Sequence, residues 1–276
     1  MSTPVPGRVE VDAPPIEPYT YGLLSVAEVV TGDGRWQMGG VEYPTDACAQ
    51  GGRVEGSCPV PADGGGTSHD KPLAEGLTWL EGGGPFTVYT RAECNAVAFP
   101  DPQERALARL RLVEHRELER AFSLQLGAAD ARQPLGTTAV PLLVALGALE
   151  HDAALYYAGQ PTLHAPRWTQ PHWTAARLVS QQGPALRTEL ESRVAFGGGY
   201  YDDPSAPAAD PAPAEGEFWL YATGTVRAYR SQPFVHEAFD PPTNTRTAIA
   251  ERTYALDHDC YTAAVLVSVA PAGGDA

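Results

Sequence analysis

The chain has 276 residues, enough for the core of one large domain or two modest ones. Its 34 acidic residues against 19 basic ones give a net charge of −15, which excludes the basic face of a dedicated nucleic-acid binder. The N-terminus is polar and Pro-rich, without the apolar core of a signal peptide. The longest apolar run, 139–149, is too short to span a bilayer and contains Pro141 and Gly147, so a cytoplasmic setting is expected.

Residues 1–32 read as an extended arm. Pro4, Pro6, Pro14, Pro15 and Pro18 bar a helix before a short apolar element over 23–30. Residues 33–85 are rich in Gly and Pro, with strand-like pieces at 36–43 and 77–80 around a polar middle. A segment of that length without structure of its own is rare inside a compact domain, so it is expected to be disordered or to fold against another subunit. Residues 86–89 restart a strand.

Asp101-Pro102-Gln103-Glu104 then opens a helix: Asp101 can cap, Pro102 suits the first turn and Glu104 completes a capping box. The helix is predicted to end near Leu126, before Gly127, roughly 35–40 Å long. Leu107, Leu110, Val113, Leu118, Ala121 and Phe122 form its apolar stripe; Arg105, Arg109, Arg116 and Glu119 are expected on the opposite face.

From Thr138 the pattern is helix (140–157), strand (160–165), a second helix capped by Thr169, and a strand (194–196) ending in Gly197-Gly198-Gly199. A Pro/Ala loop over 202–216 reads as exposed and mobile. Residues 218–222 and 226–229 read as a hairpin around Gly224. In the C-terminal stretch Ala248, Ala250 and Arg252 alternate with Ile249, Glu251 and Thr253. A polar break, Asp257-His258-Asp259, precedes a β-rich apolar run over 263–269. The class is α+β.

Little in this order carries catalytic chemistry. There is no G-x-S-x-G, P-loop, H-E-x-x-H or EF-hand pattern. Gly197–Tyr200 follows a strand as a phosphate loop would, but no basic residue follows it, and a turn is expected. Ordinary thiols are expected at Cys48, Cys58, Cys94 and Cys260. A Cys48–Cys58 disulfide and a zinc site with His69 are the alternatives, although nine intervening residues are not a knuckle spacing. Asp257-His258-Asp259 reads as a solvated turn rather than a metal site. Trp168, Trp173, His164 and His172 read as a packed corner rather than a pocket. No cofactor and no catalytic role is expected.

The stretch Asn244, Thr247, Glu251, Ala255-Leu256, His258 and Thr262-Ala263 resembles the last strands of the peripheral domain of tailed-bacteriophage major capsid proteins, the Hong Kong 97 fold. The order of segments over about 86–270 fits the same family. The resemblance implies an N-terminal arm (1–32), a long extended loop (33–85), a peripheral domain with a spine helix (86–137), an axial domain (138–231), and a return to the peripheral domain with the C-terminal tail (232–276).

It also implies self-assembly as pentamers and hexamers into an icosahedral head around double-stranded DNA, in a bacterial host cytoplasm. Scaffolding, portal and cement proteins would be partners, and no membrane would be. An acidic container is compatible with such cargo, because it need not bind DNA tightly. In some members a loop lysine joins an asparagine side chain of another subunit, helped by a glutamate. The chain's single lysine, Lys71, lies in the loop region, and Asn244 and Glu251 fall where the other two groups would. The rival expectations are an encapsulin-like compartment, another virion part, and, from a different class, a metal-dependent enzyme or small-molecule binder using Cys48, Cys58, His69, Asp257 and His258.

Overall fold

The computed structural model describes residues 14–49, 51, 78–95, 101–127, 131–157, 159–200 and 212–269. Lys71, Cys58, His69 and most of the loop over 202–216 lie outside them.

After the arm come α1 (Leu23–Val26) and β1 (Glu28–Thr31), then α2 (Trp36–Gly39) and β2 (Glu42–Thr45). The apolar element expected over 23–30 is thus two elements. The strand expected over 36–43 begins as a helical turn, which Gly40 ends at φ +78, a conformation that favours glycine. β3 (Thr78–Glu81) pairs with β2 in a separate two-stranded ribbon. β4 (Phe86–Asn95) runs longer than its first apolar residues indicate.

α3 (Pro102–Gln125) is the predicted long helix. The Asp101 carboxylate accepts from the amides of Gln103 (2.9 Å) and Glu104 (3.1 Å), satisfying two of the orphan donors of the first turn. Its buried face is Ala106, Leu110, Glu114, Leu118, Glu119 and Phe122. Glu119, expected among the outward charges, is fully buried instead.

β5 (Val140–Pro141) leads into α4 (Leu142–Tyr156), followed by β6 (Thr162–Pro166), a 3-10 turn over Arg167–Thr169 and α5 (Gln170–Ala175). Thr169 does not cap α5. Its hydroxyl donates to the Pro166 carbonyl at 2.8 Å, because the 3-10 turn already carries the chain into the helix. β7 (Ser180–Gln182), β8 (Ala185–Arg187), β9 (Arg193–Gly197), β10 (Glu217–Thr223), β11 (Val226–Arg230), β12 (Phe234–Asp240), β13 (Thr245–His258) and β14 (Thr262–Ser268) complete the order.

Two main sheets result. In the first, β13 pairs along one side with β4, and along the other with β12 and then β11, beyond which lies β1. Ala248, Ala250 and Tyr254 of β13 face α3 across a core with Val88, Ala92, Leu110 and Phe122. The second sheet runs β5-β14-β10-β6-β9-β8-β7.

The residues of β10 explain why the expected hairpin over 218–229 does not form. Phe218, Leu220 and Ala222 belong to the core under α4, while Trp219 and Tyr221 belong to the core under α3. A strand apolar on both faces needs a central place, and β10 takes it between β14 and β6. The chain then crosses at Gly224 into the other sheet, where β11 pairs β13. A Cβ at Gly224 would lie 2.6 Å from that of Asp259, so the crossing needs a glycine. β14 lies beside β10 for the same reason: Ala263, Val265 and Val267 face one core, Ala264 and Leu266 the other.

Candidate functional site

Glu119 is the strongest buried polar centre. Its carboxylate accepts from the Tyr19 hydroxyl (2.5 Å) and the amides of Leu23 (3.1 Å) and Gly199 (2.9 Å). One side chain of α3 thereby ties down the arm and the turn after β9. Glycines make the approach possible: a Cβ at Gly22 would collide with a Glu119 oxygen, and one at Gly197 would lie 2.7 Å from its carboxyl carbon. Burial pushes the Glu119 carboxyl above the usual carboxylate range, while the donors around it pull the other way. Burial and the facing Glu119 carboxylate push the Tyr19 hydroxyl well up, so it stays a donor.

Further arm contacts run along the same groove. Arg167 donates to the Thr20 carbonyl at 2.9 Å and stands over the Tyr19 ring at 4.8 Å, the Phe196 amide donates to the Tyr21 carbonyl at 2.7 Å, and Arg193 donates to the Val26 carbonyl at 3.0 Å. Gly197–Tyr200, the turn that could be mistaken for a phosphate loop, is filled by this carboxylate.

The second site is the corner between β13 and β14. The ribbon of β2 and β3 lies along it. The Gly83 amide donates to the Leu256 carbonyl (3.1 Å), the Tyr43 hydroxyl to the His258 carbonyl (2.9 Å), and the Thr45 hydroxyl to the Asp259 carboxylate (2.7 Å). The series ends in a disulfide between Cys48 and Cys260, with Cα atoms 6.1 Å apart and a sequence separation of 212.

This corrects both cysteine expectations: Cys48 is neither an ordinary thiol nor joined to Cys58. Sequence proximity favoured Cys58, but the ribbon carries Cys48 to the start of β14. Cys94 is buried in β4. Asp257-His258-Asp259, expected as a solvated turn, is instead an occupied joint. Asp257 is buried, with its carboxyl pushed up by burial, and His258 contacts the Phe122 ring edge-on at 5.9 Å. Among the described residues no group of three metal-ligating side chains converges.

The aromatic corner is packed as expected around Trp173, which is buried against Phe196. Trp168 is half exposed and meets His172 and Phe218 edge-on. His164 is fully buried between the Tyr200 hydroxyl (3.0 Å) and the Thr223 hydroxyl (2.9 Å), and burial, aided by His258, pushes its imidazole down to about 3.

Asn244 precedes β13 and Glu251 lies within it. Asn244 sits at φ +49 in the turn after Pro241-Pro242, and Glu251 faces out between Phe234 and Tyr89, within 3.3 Å of His236. From Thr245, the first residue of β13, to Glu251 is six residues of extended strand, about 20 Å. Lys71 lies outside the described residues.

Neither a protein-family model nor a curated protein sequence matches the chain. Solved structures do match over nearly the full length of both partners. The capsid of Ralstonia phage GP4 aligns at a TM-score of 0.57 and 8% identity, over 98% of this chain and 97% of that one. The mature capsid of bacteriophage PhiM1 aligns at 0.53 and 12% identity, over 96% and 92%. The SrpI encapsulin complex of Synechococcus elongatus PCC 7942 aligns at 0.51 and 10% identity, over 96% and 95%. The chain has the Hong Kong 97-like fold of capsid proteins, as the resemblance implies.

Proposed function

We propose that this chain is a shell-forming structural protein, the major capsid protein of a tailed bacteriophage head, and not an enzyme. The observation that carries the reading is the fold match to capsids along almost the whole of both chains. The surface supports it. α4 is apolar on nearly every side, a composition that belongs inside a protein, yet Leu143, Val144 and Leu155 are exposed on its outer side.

Copies would associate as pentamers and hexamers through the arm, extended loop, spine helix and axial domain, the segments expected at 1–32, 33–85, 86–137 and 138–231, with 232–276 returning to the peripheral domain. The shell would form in the host cytoplasm, with scaffolding, portal and cement proteins as partners, and would enclose double-stranded DNA without reading its sequence. A bond between Lys71 of one copy and Asn244 of another, assisted by Glu251, belongs to the same reading; ladders on denaturing gels that vanish in Lys71→Arg would support it.

The second reading, an encapsulin-like compartment, draws on the match to the Synechococcus assembly. Expression of the chain, size exclusion and negative-stain electron microscopy of the largest fraction test both. Closed polyhedral shells or capsomer rings support shell formation, and the contents of native particles, DNA or a cargo enzyme, separate virus from compartment. A chain that stays monomeric through changes of salt, crowding and added scaffold overturns the proposal.

A further inference from the structure

The ribbon of β2 and β3 meets the body along a single line. Gly83, Tyr43, Thr45 and Cys48 contact Leu256, His258, Asp259 and Cys260 in that order, so the contacts close like a zip from one end to the other. Both chains of the ribbon enter through glycines. Gly40 holds φ +78 against Gly83, and a Cβ at Gly83 would collide with the Leu256 carbonyl and the Gln125 side chain. β2 carries the chain from Gly40 to Thr45, and a turn closed by the Ala49 amide on the Asp46 carbonyl sets Cys48 against Cys260. The glycine pair therefore lies at one end of a lever and the cysteine pair at the other. Between them stand the Tyr43 and Thr45 hydrogen bonds of partly exposed groups, each worth about 1 kcal/mol net, and the packing of partly buried Ala47 against the core under α4.

We propose that Cys48 and Cys260 form a redox latch on this lever. As two thiols they leave the ribbon free to swing about Gly40 and Gly82–Gly84; as a disulfide they fix it along the β13–β14 corner. The device belongs to the single chain and stands whether or not that chain builds shells.

The oxidant is a small-molecule disulfide. The Cys48 thiolate attacks one of its sulfurs and releases a thiolate, giving a mixed disulfide. The Cys260 thiolate then attacks the Cys48 sulfur and releases the second thiolate. Two protein thiols lose two electrons and two protons, and the oxidant leaves as two thiols. Both cysteines are half-buried, so a small thiol can reach the pair. In reducing surroundings the latch is open, and in oxidising ones it closes.

The test compares the intact chain after treatment with glutathione disulfide and after treatment with a neutral dithiol. Alkylation and mass spectrometry should find Cys48 and Cys260 joined in the first sample and both modified in the second. Failure to join them under glutathione disulfide overturns the proposal. Hydrogen exchange should then be about ten-fold faster in residues 41–48 and 78–84 of the reduced chain, through a local opening insensitive to low urea.

Ribbon amides that do not change, or that change only in step with those of α3 and β13, mean a global staple and overturn the latch. A Cys48→Ser/Cys260→Ser chain should reproduce the reduced pattern without reductant, and an oxidised-like pattern in it would count against the proposal. If that variant fails to fold, the two redox states of the unaltered chain still decide.

Discussion

Glu119 and His164 show how burial turns single residues into pH-dependent terms of opposite sign. The Glu119 carboxyl is raised in the fold above its ordinary value of 4.5. The folded chain therefore holds that proton more tightly than the unfolded chain, and this group's contribution falls as pH rises from about 4.5 towards its folded value. Comparing Glu119→Gln with the unaltered chain by thermal melts, the advantage of glutamate should shrink across that window. At neutral pH Glu119→Ala should still cost about 3 kcal/mol, because the amides of Leu23 and Gly199 lose their acceptor.

His164 acts the other way. Its imidazole is lowered to about 3, so the unfolded chain takes the proton first. Stability from this group is complete above about 6.5 and is lost at roughly 1.4 kcal/mol per pH unit down to about 3. Chemical denaturation of His164→Asn between pH 4 and 7 should show a slope shallower by that amount; an unchanged slope would place the acid sensitivity elsewhere. Neither role was legible in the sequence. Glu119 falls between Leu118 and Arg120 on a helix whose periodicity admits it to either face, and its partners are backbone amides 80 and 96 positions away.

At the scale of elements, a signal made by adjacent residues is legible where nothing beyond them competes, as at Asp101 but not at Thr169. Asp101 and Pro102 marked the start of α3 because a cap is a matter of adjacent residues. Asp101→Ala should accordingly lower stability by about 1 kcal/mol in urea titrations. The alternation over 248–253 marks β13 as a strand, and its buried side is that of Ala248 and Ala250. The partners of β10, β11 and β14 were not legible, since short polar links such as 224–225 look the same whether the chain turns back or crosses to another sheet.

The same limit hid the disulfide, whose cysteines meet only because the ribbon lies along β13. The ribbon's closeness can be probed at its glycine. Gly83→Ala forces a methyl group into the Leu256 carbonyl and Gln125, and should cost about 1–3 kcal/mol while moving the ribbon off the corner. Loss of the Gly83 amide's exchange protection is the readout.

For the whole molecule, the question is what α4 is for. Its inner side, with Leu142, Ala145, Leu146, Leu149 and Ala153, already fills the core under the second sheet. Folding of one chain therefore does not require the outer leucines, and exposed apolar side chains contribute little to it. In a shell they would meet a neighbouring copy, where each fully covered leucine is worth about 1.5–3 kcal/mol, repeated at every equivalent contact. Leu143→Asp with Leu155→Asp should thus leave the melting temperature of the isolated chain within a few degrees of the original. The same pair of changes should prevent assembly, shown as loss of the large size-exclusion fraction and of shells in electron micrographs. If shells form normally, this side of α4 is not an interface, and the contacts must lie with the arm, the ribbon or the outward face of β4, β12 and β13. If the isolated chain unfolds instead, the helix depends on those leucines within its own fold, and its exposure loses its value as support for assembly.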